Sequence, residues 1–425
     1  MIREFWVENY LSIKGRQGMS FVTRSGEPSL TVSIGKERIS KLGILYGPNA
    51  SGKSNMLFAL ENVFDLLYRP CLKLGEKVRA RKPFALASNL PMRLGVSFYA
   101  DGIRYDYEVS FTPDVILREE LLYFPNGHKS VIYDRKFVGG NEAASIIFGQ
   151  SLKLTSKEKT SLIDNTLNNH TVLSTLGKLN PMAQPTALRN LYKWIEAHVH
   201  QVDGDERDFS LVKYLKDIRE DARSYAFFKQ MLDKADVNIL GFEVREQVRE
   251  ISPQMRKKIE NDPTLSEPLK MQLLSEKIED IIFTHSSSSG EFEIPLSEQS
   301  AGTLSFLGEL KFLYRLINGS HVYMLDEIEQ NLHYELLVFY LIFFLTNSEQ
   351  SQLIFTSQEL QLLDEDFIDE NRYTVWFVEK DSDTASSLYQ RADSFGIHKN
   401  LSLYKAYRAG RIGCRPMLKS TLIES

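Results

Sequence analysis

The chain has 425 residues, 43% hydrophobic and 25% charged, a globular balance long enough for one large domain with an insertion or for two or three domains. A net charge of -5 argues against an obligate nucleic-acid binder, which carries a basic excess. Two isolated cysteines, Cys71 and Cys414, exclude a disulfide scaffold and a cysteine-rich metal site and fit a reducing, cytosolic setting.

The opening Met1-Ile2-Arg3-Glu4 mixes charge with apolar side chains and offers no signal-peptide core. Residues 5–10 predict a short strand, and 20–23 and 30–34 predict further strands in a hairpin-like arrangement. Residues 42–46 form an apolar run that stops at Gly47-Pro48-Asn49. A helix follows, because Met56, Leu57, Leu60, Val63, Phe64 and Leu67 recur at three- and four-residue steps. Residues 69–82 are basic, with only Glu76 against them, and read as a solvated face or a partner-docking surface. Asp101-Gly102, between strand-like 95–99 and 104–109, signals a hairpin, and 115–124 and 130–133 continue an antiparallel meander.

Residues 151–280 turn mainly helical, with periodic segments at 188–198, 211–218 and 225–232 and a charged run at 254–278, interrupted by a strand-like stretch at 238–248. A serine cluster at 286–289 marks a turn. From Glu291 an α/β rhythm returns, with a helix at 304–317, a strand at 321–325, a helix at 334–344 and strands at 352–355 and 373–378. The most apolar stretch, 336–345, is far shorter than the ~20 residues that cross a bilayer, so it predicts a helix buried on most sides and no membrane partner. The tail at 399–419 is basic again. The economical reading is α/β: a nucleotide-binding core in two halves, 1–150 and 281–425, split by a mainly helical insertion at 151–280 that makes partner or oligomer contacts.

Gly47-Pro48-Asn49-Ala50-Ser51-Gly52-Lys53-Ser54 fits G-x-x-x-x-G-K-S without a gap, with a strand before it and a helix, beginning around Asn55, after it. Its glycines let backbone N–H groups curl around phosphate, and the helix aims its positive end at the same place. Lys53 is assigned to the β- and γ-phosphates of ATP and Ser54 to Mg²⁺. The apolar run His321-Val322-Tyr323-Met324-Leu325 ends in Asp326 and Glu327. Asp326 is placed to hold Mg²⁺, and Glu327 to orient or deprotonate an attacking water. Two solvated acids at a strand end are the bland alternative, and the phosphate loop elsewhere in the chain weakens it.

Asn9-Tyr10-Leu11-Ser12, the phosphate loop and Asp326-Glu327 together resemble the ABC-type ATPases of the RecF and SMC lineage, and more closely the RloA- and AbiL-like ATPases of bacterial antiphage loci. Pro83-Phe84, the stretch 296–303, Asn331-Leu332-His333, Phe355-Thr356-Ser357, Leu362-Leu363-Asp364 and the stretch 376–381 also look like that group. The resemblance implies an ABC-type ATPase head with a mixed central sheet and an antiparallel β meander, plus the helical insertion. It implies a homo-oligomer, at least a dimer, in which Ser300 and Gly302 of one subunit bind the γ-phosphate held by the other. Their position ahead of a helix agrees, though S-A-G-T there is also a plain N-cap. It implies antiphage defence by abortive infection, with an effector protein (a nuclease or toxin) from an adjacent gene and a phage-encoded trigger. Insertion length argues against SMC-type coiled-coil arms, and the atypical signature against a transporter subunit. A DNA-repair ATPase that binds DNA directly is the alternative.

Two features depart from the resemblance. Gln358 stands where the switch histidine should be, so it can hydrogen-bond phosphate or water but carries no charge. No glutamine is identified for the contact between phosphate loop and insertion, and His285 reads as structural. Glu379, Asp381 and Asp383 resemble the acids of a TOPRIM nuclease, but that centre draws its acids from several strands, so a nuclease in this chain is not expected.

Overall fold

A computed structural model defines all residues except 25, 140–143, 203, 236–237, 249–251, 263–269, 272–273, 275–276, 331, 399 and 414–425. Asn331, Cys414, the basic tail beyond residue 413 and part of the charged run at 254–278 lie outside the described residues. The chain divides into two compact units, one of Met1–Asp203, Arg315–Gln330 and Tyr340–Ser425, the other of Gly204–Tyr314 and Asn331–Phe339.

In the first unit, β1 (Ile2–Glu8) and β2 (Gln17–Ser20) precede β3 (Val22–Thr23), β4 (Thr31–Ile34), β5 (Glu37–Ser40) and β6 (Leu42–Tyr46). The meander is β7 (Met92–Ala100), β8 (Ile103–Phe111), β9 (Ile116–Phe124), β10 (Ser130–Lys136) and β11 (Ser145–Phe148). Its strands join β1 and β2 in an antiparallel sheet ordered β11-β10-β9-β8-β7-β1-β2. Asp101 (φ 48°) and Gly102 (φ 76°) make the β7–β8 turn, and two positive φ angles suit the right-handed twist of a tight hairpin.

Short apolar runs buried on both faces favour parallel pairing. β6 is buried throughout, as are β16 (Val322–Leu325) and β17 (Gln352–Ser357). With β12 (Val199–Val202), β18 (Val375–Lys380) and β19 (Ser387–Arg391) they form a central sheet ordered β12-β16-β17-β6-β18-β19. Pairing is parallel from β12 to β18 and antiparallel only at β19. Helix α1 (Lys53–Tyr68) packs on strands of this sheet and of the meander sheet, which is why Met56, Leu60, Val63, Phe64 and Leu67 are all buried.

One buried polar network ties the meander to the segment that follows it. Glu119 and Arg135 are both fully buried and paired at 2.9 Å. Tyr107, Tyr133 and the Val172 backbone N–H also donate to the Glu119 carboxylate, while Arg135 donates to the carbonyls of Leu167 and His170.

The second unit holds β13 (Ile239–Val248), β14 (Lys277–Ser287) and β15 (Gly290–Pro295), antiparallel in that order, with Ser288-Ser289 at the expected turn. Helices Gly204–Glu220, Ala222–Lys234 and Pro253–Glu260 accompany them, and Tyr225, Phe228, Phe242 and Phe283 make ring contacts. Of the charged run at 254–278, the described residues through Glu260 and at 270–271 are helical as expected, and only its last two residues, from Lys277, belong to the strand β14.

The helix Tyr334–Asn347 covers the most apolar stretch and buries Leu337, Tyr340, Leu341, Phe344 and Leu345. Ile342 is exposed, so burial takes one broad face rather than most sides. Among the described residues no helix is long and apolar enough to cross a membrane.

Candidate functional site

β6 ends at Tyr46 between β17 and β18, and the chain turns through residues 47–52 into α1. The loop is fitted to its neighbours at both glycines. A Cβ on Gly47 would lie 2.3 Å from the Val378 carbonyl oxygen; one on Gly52 would lie 2.2 Å from Ser387 Oγ and 2.8 Å from Ser12 Oγ. Gly52 also has φ 109°, in the left-handed region that favours glycine, and Ala50 sits there at 61°. Because α1 begins at Lys53, its first N–H groups have no helical partner and face the loop, a ready anion site.

Lys53 is 7% exposed, and its Nζ donates to the carbonyls of Gly47 at 2.9 Å and Pro48 at 3.3 Å. Burial holds its pKa below the ordinary lysine value, and the charges of Glu327, Asp326 and Glu329 counter that. The cation is thus folded onto two carbonyls of its own loop.

Asp326 and Glu327 lie at the end of β16, and β17 separates that strand from β6. Thr356 of β17 spans the gap. Its Oγ1 donates to Asp326 Oδ1 at 2.6 Å and accepts the Glu327 backbone N–H at 2.8 Å. Ser54 Oγ donates to the same Asp326 oxygen at 2.9 Å. Gln358 Nε2 donates to Glu327 Oε1 at 2.7 Å, and the Gln358 backbone N–H to Glu329 Oε1 at 2.5 Å. Glu327 itself is left-handed at φ 50°, a conformation that costs a non-glycine residue roughly 1–3 kcal/mol. The turn pins it there, with the Gln330 N–H donating to its carbonyl at 2.9 Å.

One hydroxyl and one carboxylate, Ser54 and Asp326, meet beside the loop. That sparse oxygen set fits Mg²⁺, which keeps several waters and takes phosphate oxygens as ligands. Among the described residues no group of three His, Cys, Asp or Glu side chains could hold a metal by itself. Glu379, Asp381 and Asp383 make no such centre, and Asp381 Oδ1 instead accepts from the backbone and hydroxyl of Thr384.

Several residues of this site carry no mark in the sequence. Ser387 Oγ donates to the Ser51 carbonyl at 2.5 Å, and the Ser387 N–H to the Ser12 carbonyl at 2.8 Å. Tyr389 OH donates to the Gly52 carbonyl at 2.6 Å, and Asn55 Nδ2 to Ser12 Oγ at 2.6 Å. The β18–β19 hairpin therefore clasps the phosphate loop from the far end of the chain. Ser51, Gly52 and Asn55 lie in the phosphate-loop stretch, Ser12 inside Asn9-Tyr10-Leu11-Ser12 and Thr356 in Phe355-Thr356-Ser357, all with a signal; Ser387 and Tyr389 had none.

The first unit thus brings residues 47–55, Asp326, Glu327 and Gln358 together. Ser300 and Gly302 belong to the second unit, at the start of the helix Ala301–Asn318. There Ser300 Oγ accepts the Thr303 N–H at 3.1 Å, an N-cap. His285 sits on β14, 3.1 Å from Gln299 Nε2 and stacked on Phe292. In the basic segment Arg69 pairs with Asp65, Lys77 with Asp114, and Arg81 lies over the Phe58 ring.

The model of a protein family described as "AAA domain, putative AbiEii toxin, Type IV TA system" matches residues 44–364, more than half of the chain. The comparison with curated proteins found no match. Among solved structures the chain is similar to an SMC head domain from Thermotoga maritima at 11% identity and a TM-score of 0.40, covering 92% of this chain and 98% of that one. It is also similar to an SMC head bound to the C-terminal winged-helix domain of ScpA, at 13% identity and a TM-score of 0.43, with 96% and 99% covered. A third, an SMC head with an extended coiled coil bound to the C-terminal domain of ScpA derived from Pyrococcus furiosus, has 11% identity and a TM-score of 0.38, with 96% and 98% covered. The chain is thus α/β, with the loop at the end of β6 in a mixed, mostly parallel central sheet beside an antiparallel meander.

Proposed function

The chain belongs to this AAA-domain family, and from that membership we propose that it is a switch ATPase, which binds ATP with Mg²⁺ and hydrolyses it slowly within an oligomer. The observation that carries the reading is the continuous path from Ser54 through Asp326 and Thr356 to Glu327, beside Lys53 and a glycine-lined loop. Residues 47–55 cradle the phosphates, with Lys53 leaving its loop carbonyls for the β- and γ-phosphates. Ser54 and Asp326 hold Mg²⁺, which when bound offsets charge developing on the phosphates. Glu327 accepts a proton from water as it attacks the γ-phosphorus, ADP departs, and Gln358 steadies the carboxylate or the water.

In this reading Ser300 and Gly302 of one subunit complete the site of another, so the working unit is at least a dimer. A helix start with a hydroxyl at its cap supports that role, and the N-cap contact of Ser300 would be exchanged for phosphate. Resemblance to the RloA- and AbiL-like ATPases extends the proposal to antiphage defence. There the ATP-closed oligomer holds a toxic effector from an adjacent gene and releases it when a phage product is sensed. Closure responds to nucleotide only through its tighter binding to the closed form. Direct DNA binding is the weaker alternative, since much of the basic segment at 69–82 is engaged locally.

The test is Glu327→Gln, in a rate assay and in light scattering with ATP and Mg²⁺. Turnover is expected to fall about 10²- to 10⁴-fold, the usual contribution of a positioned general base, while the closed oligomer accumulates. Turnover at the parental rate would remove Glu327 from the proposed role. A variant that binds ATP yet stays monomeric would remove the shared site.

A further inference from the structure

Glu329 stands two residues beyond Glu327, and no motif of catalysis marks it. Its Oε1 accepts the Gln358 backbone N–H at 2.5 Å, and its Oε2 is buried without a hydrogen-bond partner. Gln358 turns its side chain back to Glu327 Oε1 at 2.7 Å. One residue is thus gripped twice, Glu329 taking its peptide and Glu327 its amide. Gln358 follows directly on β17, where the chain leaves the sheet for the turn Leu360–Asp364. Both Glu327 and Gln358 are exposed, so a contact between their long side chains costs rotamer entropy unless a main-chain anchor limits the search.

We propose that Glu329 is a positioning residue for hydrolysis: by fixing the Gln358 peptide it sets where the Gln358 amide meets the Glu327 carboxylate. This rests on Glu327 acting as the base. Glu329 touches neither the phosphate loop nor Ser54 by any hydrogen bond described, so its loss should slow the step that uses Glu327 and spare ATP affinity. The competing role is electrostatic, because Glu329 also adds negative charge near Lys53. The two separate cleanly. A glutamine at 329 keeps an acceptor oxygen and loses the charge; an alanine loses both.

The experiment measures steady-state ATP turnover for the parent, E327Q, E329A, E329Q, Q358A and the E329A/Q358A double variant, with thermal unfolding of each. E329A should lower kcat about 10- to 100-fold, as loss of a supporting hydrogen-bond partner does, with KM for ATP unchanged and E329Q keeping more of the rate. The double variant should be no slower than Q358A, since without the amide nothing is left for Glu329 to position. Losses that multiply in the double variant, or equal damage from E329Q and E329A with a raised KM, would overturn the proposal. If the parent shows no turnover, or E327Q turns over like the parent, the hydrolytic reading itself has failed. If those two behave as expected, a wrong result at Glu329 counts against this inference alone.

Discussion

In the meander, the Glu119 carboxylate takes hydrogen bonds from Arg135, Tyr107, Tyr133 and the Val172 N–H, and none of it reaches solvent. At the phosphate loop, the described bonds give the Asp326 carboxylate two donors and those of Glu327 and Glu329 one each, Glu327 and Gln358 are exposed, and Lys53 rests on its own loop's carbonyls. Both regions gather ionisable groups, and they differ in how full those groups are. Where buried donors engage both oxygens of a carboxylate, as at Glu119, the contacts fix the fold. A carboxylate cluster with few partners keeps acceptors in reserve, as the proposed binding of phosphate, metal and water requires.

The widest gap between the two regions should appear with Glu119→Ala. It leaves Arg135 buried without its counter-charge, and removing one partner of such a pair costs about 3–5 kcal/mol. Urea unfolding should show that loss, while the folded fraction binds ATP with the parental affinity. An unchanged unfolding midpoint would erase the contrast. Lys53→Ala should do the reverse. Losing a charged donor to phosphate costs about 1.5–3 kcal/mol, some 10- to 100-fold in ATP affinity, with stability moved by about 1 kcal/mol or less. Titration calorimetry beside the same unfolding curves tests both halves.

The smallest effect is one of pH. His170 packs against the Arg135 network, and burial, with Lys178 and Arg135 as neighbouring cations, pushes its pKa down from 6.5 to about 3. The folded state keeps it neutral, so its share of stability is complete above about pH 6.5 and is lost as pH falls toward 3. By about pH 5 the loss is on the order of 2 kcal/mol. Unfolding curves between about pH 7 and 4 should steepen by close to one proton relative to His170→Gln. Equal slopes would sink the assignment.

The phosphate loop was readable because its chemistry is local: eight consecutive residues, a strand before and a helix after. Asp326-Glu327 was readable because a short apolar run that stops abruptly at two acids is a buried strand delivering them to its end. Glu329, Ser387 and Tyr389 were not, since a serine or a glutamate gains meaning only from what folding brings beside it. Thr356 lay in a recognised stretch, yet its bridging role depends on β17 running between β6 and β16, and strand order is not written in any local pattern. The same holds for the β14 start, where the charged residues before Ile281 hid the strand. The buried Glu119–Arg135 pair also had no signal, as each residue alone looks like ordinary surface.

The clasp of Ser387 and Tyr389 on Ser51 and Gly52 ties the loop to a hairpin more than three hundred residues later in synthesis. A ribosome that has delivered the whole phosphate-loop sequence has not yet delivered the strands that shape it. On the proposed reading, nucleotide binding therefore waits until synthesis has passed Tyr389, and a chain broken off before β18 carries the motif without the clasp. For a protein proposed to restrain a toxin, that ordering ties competence to the arrival of the β18–β19 hairpin.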